Sequence, residues 1–393
     1  ITPKLSGCTN GPTKVVNVDV EPAPVAVVVN NLPTICTEGT PDISITSPTT
    51  PTTLLDLTFD VTVLLPGGVT GTLLAGNAVL GAVAPFSINT GTLTHDNLTA
   101  LPLTVIYTIT PKLNGCADGT PQIVNVIVRP DPVGQLDNTT LANICSDEAF
   151  TYNIQTENID LQNGVSSNFT FTVSSSSEID VPTPAGLDRT IASAAVISGN
   201  FNNISSADVT ITYTITPFNT SSNCEGLPFD VEAVIHPEPT SPLLTTVDIC
   251  SDDVNNFDLQ ALVIDNVGGG GNTVPSKFKY TVVSDFPMDV FPAANRTTAT
   301  IAAITDAYTN LSNHDVTITY TVTPVSLTGD CEGTPFDFEI VIHPEPVGIN
   351  ILDPVCSTAL NHNIQDSHIN AVGGNSLPSV FTYVFIHDPL NPT

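Results

Sequence analysis

The nine residues VTITYTITP, from Val209 to Pro217, decide the architecture. Apolar Val209, Ile211, Tyr213 and Ile215 alternate with four threonines. That period of two belongs to a β-strand with one face on a core. The segment returns as VTITYTVTP, from Val316 to Pro324. Its end returns twice more, as ITPKLSGC from Ile1 and ITPKLNGC from Ile109. A second phrase follows each time: EPAP from Glu21, RPDP from Arg129, and HPEP from His236 and from His343. A third ends in Cys36, Cys145, Cys250 and Cys356. Every phrase recurs after 105 to 109 residues, so one unit is repeated along the chain.

The units predicted are 28–134, 135–241 and 242–348, with the tail of one unit at 1–27 and the head of another at 349–393. The chain therefore reads as a stretch of a longer array. About a hundred residues is enough for a domain with its own core. Alternation also marks LTFDVTV at Leu57, FTFTV at Phe169, FKYTV at Phe278 and FTYVF at Phe381, and PFDVEAVIHP and PFDFEIVIHP before the HPEP phrases. Short strands broken by 33 prolines and 25 glycines predict an all-β fold, a tandem array of immunoglobulin-like antiparallel β-sandwiches forming an extended fibre. Only LDRTIASAAVI, Leu187 to Ile197, suggests a turn of helix.

With 39 acidic against 8 basic side chains, the net charge is −31. No basic stripe exists for phosphates, which excludes nucleic acid as a partner. The same charge disfavours anionic lipid and keeps exposed strand edges of neighbouring fibres apart.

All eight cysteines occupy two repeat positions and lack metal-ligand spacing, so they read as disulfides of an oxidising, extracellular setting. Two pairings fit the spacing: within a unit, or across a junction as Cys8 with Cys36. In an immunoglobulin-like sandwich the turn before the last strand returns to the end where the chain comes in, and that last strand carries the chain roughly 30 Å away. A bond needs Cα atoms within about 7 Å. The expected pairs are therefore Cys36–Cys116, Cys145–Cys224 and Cys250–Cys331, with Cys8 and Cys356 bonded to units beyond this sequence.

Tyr107, Tyr213 and Tyr320 each follow an Asn-x-Thr/Ser triplet, at Asn97, Asn203 and Asn310, by ten residues. The tyrosines read either as a corner, with the hydroxyl on nearby backbone, or as simple core filling. The triplets are glycosylation sequons, but a turn asparagine explains their fixed place, and that reading is preferred.

No nucleophile elbow, P-loop or HExxH stretch occurs, so no catalytic residue is assigned and the chain is not read as an enzyme. His236 and His343 share a position held elsewhere by Arg129 and Glu21; Lys4 and Lys112 share one held by Phe218 and Val325. Neither position can serve chemistry common to the units. Paired carboxylates Asp147 and Glu148, with Asp252 and Asp253, follow two of the cysteines and could hold calcium. A solvated acidic turn is the simpler reading, and no other cofactor is expected.

The repeated pattern YTITP, then Cys-x-Gly, then P-x-P, then Ile-Cys resembles the PKD-like repeats of very large surface proteins of Bacteroidota, across the whole chain. It departs from ordinary PKD domains in having no Trp. The resemblance implies export across the outer membrane by a type 9 route, display on the cell surface, and contact with secretion or gliding-motility machinery. The leading expectation is a stalk or fibre segment of a giant adhesin whose external surface or polysaccharide is bound through another part. Alternatives are repeated glycan-binding modules, for which a shared exposed aromatic platform is missing, or a spacer in a secreted hydrolase.

Overall fold

The structure, a computed structural model, describes residues 1–52, 56–71, 78–83, 85–135, 139–194, 196–351, 362–384 and 386. Strands of the first unit are β1 (Val27–Asn30), β2 (Thr34–Cys36), β3 (Ile43–Thr46), β4 (Leu57–Leu64), β5 (Val69–Gly71), β6 (Ala78–Val83), β7 (Phe86–Ile88), β8 (Leu93–His95), β9 (Leu103–Leu113) and β10 (Gln122–Arg129). The second has β11 (Thr139–Cys145), β12 (Ala149–Asn153), β13 (Ser167–Ser175), β14 (Arg189–Ser193), β15 (Val196–Asn200), β16 (Val209–Asn219) and β17 (Phe229–His236). The third has β18 (Leu244–Cys250), β19 (Ser276–Ser284), β20 (Arg296–Thr300), β21 (Val316–Ser326) and β22 (Phe336–His343).

One five-stranded sheet recurs, ordered β2-β10-β9-β4-β6, β11-β17-β16-β13-β14 and β18-β22-β21-β19-β20. The stretch that opened the argument is β16, and its buried residues alternate along the strand as the sequence alternates. It sits at the sheet centre, antiparallel to both β13 and β17. The strand that leads into each unit instead runs parallel to the last one. It ends with its cysteine opposite that strand's last residue: Cys36 beside Arg129, Cys145 beside His236, Cys250 beside His343.

The facing layer is thinner. It is β1-β3-β7 with a β5-β8 pair in the first unit and β12-β15 in the second; in the third, an isolated bridge joins Phe257 and Ile304. Each sandwich encloses its own core. Phe59, Tyr107 and Val126 belong to the first, Phe169, Tyr213 and Val231 to the second, Phe278, Tyr320 and Phe338 to the third.

Two expectations need correction, and one open alternative is decided. Leu187 to Ile197 forms no helix; it supplies β14 and the start of β15, strands in different sheets, because β-branched Thr190, Ile191, Val196 and Ile197 favour extended backbone. Residues 381–384 of FTYVF form no strand, and Phe385 lies outside the described residues. Their counterparts β13 and β19 pair with β16 and β21, and no such later strand exists within this sequence. The tyrosines fill the core without a corner bond: the hydroxyls of Tyr107 and Tyr213 have no hydrogen-bond partner among the described residues. Burial pushes the Tyr213 hydroxyl up to about 12. Tyr320 does find partners, the Tyr308 hydroxyl at 2.5 Å and the Asp306 carboxylate at 2.7 Å.

Candidate functional site: the stapled junctions

Functional side chains gather where one unit hands over to the next. The disulfides are Cys36–Cys224 and Cys145–Cys331, with Cα atoms 5.4 and 5.5 Å apart. Each joins the leading strand of one unit to the turn before the last strand of the following unit. The expected pairs Cys36–Cys116, Cys145–Cys224 and Cys250–Cys331 are therefore not formed. Cys116 and Cys250, like Cys8, are free and exposed, and Cys356 lies outside the described residues. The reason is strand length. The leading strand has crossed its unit before it reaches the cysteine, so Cys36 stands at the exit, opposite Arg129. The next unit's turn, Thr220 to Pro228, faces that exit.

The linker is gripped as well as stapled. Asn163 accepts from the N–H of Val133 at 3.2 Å and donates to the carbonyl of Asp131 at 2.8 Å. Asn272 does the same to Thr240, 3.0 Å, and Glu238, 2.7 Å. Asn375 repeats it on Val347, 2.9 Å, and Glu345, 2.6 Å. Each asparagine is placed by a helical turn that starts beside a repeated glutamine. Gln155, Gln260 and Gln365 accept from the N–H of Ser167, Ser276 and Ser379. Their amides donate to the carbonyls of Val165, Val274 and Leu377, closing the loop that carries the clasp. From the other side, Gly226 and Gly333 sit so close to the linker that a Cβ would lie 2.0 Å from the carbonyl oxygens of Pro132 and Pro239. Only glycine permits that contact.

The junction is acidic. Burial, then the charges of Glu38 and Glu225, push the Asp131 carboxyl up to about 6. One of its oxygens is buried without a partner among the described residues. Glu238 is raised in the same way, by burial first and then by Asp147 and Glu148.

The four carboxylates proposed for calcium are occupied in their own turns. Glu148 accepts from the N–H of Cys145 and Asp253 from that of Cys250, at 3.0 and 2.9 Å. Asp147 accepts from Asn202 and Asp252 from Thr309. The single group of three potential ligands among the described residues is Cys36, Asp131 and Cys224, of which the two sulfurs are already bonded to each other.

Asn203 and Asn310 are buried turn residues. Their amides donate to two carbonyls each, Ala207 and Ile235, and His314 and Ile342. A glycan on either would take one of the two amide hydrogens and so remove at least one of these bonds. Asn97 is not their counterpart. That place belongs to His95, whose N–H donates to Thr37 as those of Asn203 and Asn310 donate to Ser146 and Ser251. Asn97 instead accepts from the N–H of Asp131 at 3.1 Å, holding the linker from the first unit's side. His236 and His343 end their strands paired with Asp208 and Asp315. Lys112 pairs with Asp60 and Asp118.

The sequence reading missed the clasp. Its signal is the recurrence of Gln155, Gln260 and Gln365, each followed by Asn163, Asn272 and Asn375. No helix among the described residues is long and apolar enough to cross a membrane.

Among solved structures the chain is similar to mouse cadherin-23 EC22-24, at 10% identity, covering 82% of this chain and 99% of that one with a TM-score of 0.28. It is similar to chicken CNTN1 FN1-FN3 domains at 9% identity, covering 82% and 100%, TM-score 0.24. It is also similar to fibronectin(III)-like modules of Clostridium thermocellum CbhA at 9% identity, covering 54% and 95%, TM-score 0.22. No curated protein sequence matches the chain. The family model of the PKD-like domain matches residues 142–239 and 247–346, together just over half of the sequence. Tandem disulfide-bonded sandwiches of this kind make an extracellular repeat or stalk module, and the chain belongs to the PKD-like domain family.

Proposed function

We propose that this array is a tension-bearing stalk segment of a large cell-surface adhesin, of the kind that serves attachment and gliding. The observation that supports the reading most is the junction. A disulfide spans each of the two junctions while a two-point asparagine clasp and a glycine contact grip the short linker, an arrangement that spends its polar groups on holding neighbours in line. Among the described residues no side-chain constellation common to the units is left over for turnover, so the array is proposed to be non-catalytic. Its immediate partners are neighbouring repeats. Secretion or motility machinery of the outer membrane, and the external surface itself, are met through other parts of the parent protein.

The test uses cells that carry the parent protein with units 135–241 and 242–348 deleted and the reading frame kept. Surface display should persist, while attachment under flow weakens because the adhesive part is held closer to the cell. Unchanged attachment at normal display, or an enzymatic activity that maps to the purified array, would overturn the proposal.

A further inference from the structure

The two disulfides interleave: Cys36, Cys145, Cys224 and Cys331 follow in chain order, and the first bonds the third while the second bonds the fourth. This changes the covalent distance between units. From Cys36 to Cys250 the main chain runs 214 residues, through most of the first unit, the whole of the second and the leading strand of the third. The shortest covalent route instead crosses the disulfide to Cys224 and continues for only 26 residues. Those residues hold β17, the clasped linker Pro237–Pro239 and β18. Strands already rise about 3.3 Å per residue, close to the limit of an extended chain, so the route holds little slack.

We propose that the staples form a load bypass. Tension between the first and third units runs along this extended route. The core of the first unit and the part of the second from Cys145 to Cys224 hang beside it as unloaded loops. This deepens the stalk reading by saying how such a stalk resists stretching. It concerns the chain's mechanics alone, and it stands or falls whether or not the parent protein is an adhesin. The switch is redox: a dithiol reagent reduces the Cys36–Cys224 bond to two thiols and is itself oxidised to its disulfide, after which the bypass is open and the main chain takes the load.

The experiment is single-molecule pulling of this chain, with one handle at the N-terminus and one inserted at Val254, which is 96% exposed. Cys8, Cys116 and Cys250 are replaced by Ser to prevent exchange. In the oxidised chain, extension beyond the folded length should stay below about 100 Å, with no unfolding step of domain size. After reduction in place, two steps of about 300 Å each should appear, one per released unit. A Cys36→Ser chain should show the large step of the first unit without reductant, while the remaining Cys145–Cys331 bond still shortens the route beyond Cys145. Two domain-sized steps in the oxidised chain would overturn the bypass, and so would short extensions that reduction leaves unchanged. Reduction is applied after folding, so the outcome does not depend on how well the variant folds.

Discussion

The first unit and the two that follow solve the same junction with different side chains. In the second and third, a buried asparagine ties the corner before the central strand to the last strand, through Ile235 and Ile342. In the first, His95 stands there; its ring contacts Leu101 and the N–H of Asn97, and its loop to Tyr107 is two residues longer than that from Asn203 to Tyr213. The later units carry a glutamine-anchored clasp. The first holds Val25 through Ser47 and Thr49 instead. Its leading strand also breaks at Asn31–Pro33, so that β1 lies in one sheet and β2 in the other. The match to the PKD-like domain covers the second and third units. Yet the cysteine staple links the divergent unit to its neighbour as it links the other two. The staple depends on where strands end, which the shared sheet sets. The clasp depends on loop side chains, which are free to vary.

The sharpest contrast is between Asn310 and His95. Asn310 is fully buried and donates to two main-chain carbonyls, while Ser312 donates to its oxygen. An Asn310→Ala chain leaves those groups unpaired inside the corner, at about 2–4 kcal/mol. His95→Ala frees fewer backbone groups beside a longer loop and is expected to cost about half as much. Urea melts of the separate first and third units check this. Equal losses would mean that the two corners are held by packing and not by these bonds.

A smaller effect is expected at the clasp. Asn272→Ala removes both bonds to the linker between the second and third units, in a part-buried setting, at about 1 kcal/mol. The staple still holds the units together, so the change should appear as faster amide exchange at Thr240 with little shift in melting temperature. Unchanged exchange at Thr240 would show that the glycine contact and the disulfide hold the linker without the asparagine.

The strands were legible because each long one keeps a strict period of two, and Tyr213, Ile211 and Phe169 are buried where that period puts them. The cysteine pairing was legible too, but the reach argument was applied to one strand only. Ten residues of last strand separate Cys8 from the next junction; the 11 to 13 residues ahead of Cys36, Cys145 and Cys250 carry the chain as far. Counting both puts Cys36 at the exit. The clasp was not legible through hydrophobic pattern, because side-chain bonds to linker carbonyls require no apolar period. The spacing of ten residues to tyrosine selected Asn97, since a sequence offset carries no mark of the two extra residues that let His95 take the place.

The weakest effect is electrostatic, and it separates the two stapled junctions. Asp131 has its carboxyl raised to about 6, chiefly by burial and then by Glu38 and Glu225. A carboxyl raised in the folded state favours folding while it is protonated. The benefit is complete below the unfolded value of about 4 and is lost as pH rises through about 6. Hence the first junction should tighten as pH falls from 7 toward 5. Asp60 and Glu178 work in the opposite sense. Their carboxyls are lowered, by the Lys112 ion pair and by the Thr183 backbone N–H respectively, so their contribution disappears in stronger acid. The His343–Asp315 pair raises the histidine and shares the direction of Asp131, but it lies in the third unit. The difference between the parent chain and Asp131→Asn isolates the junction from these groups and from the general acidic repulsion. The substitution should raise the melting temperature of the first two units at pH 7 and have no effect near pH 4. Glu238→Gln, whose carboxyl is also raised, should act in the same direction at the second junction. A gain from Asp131→Asn that persists undiminished at pH 4 would locate the effect in shape and hydrogen bonding, and would remove the charge of Asp131 from the account of this junction's stability.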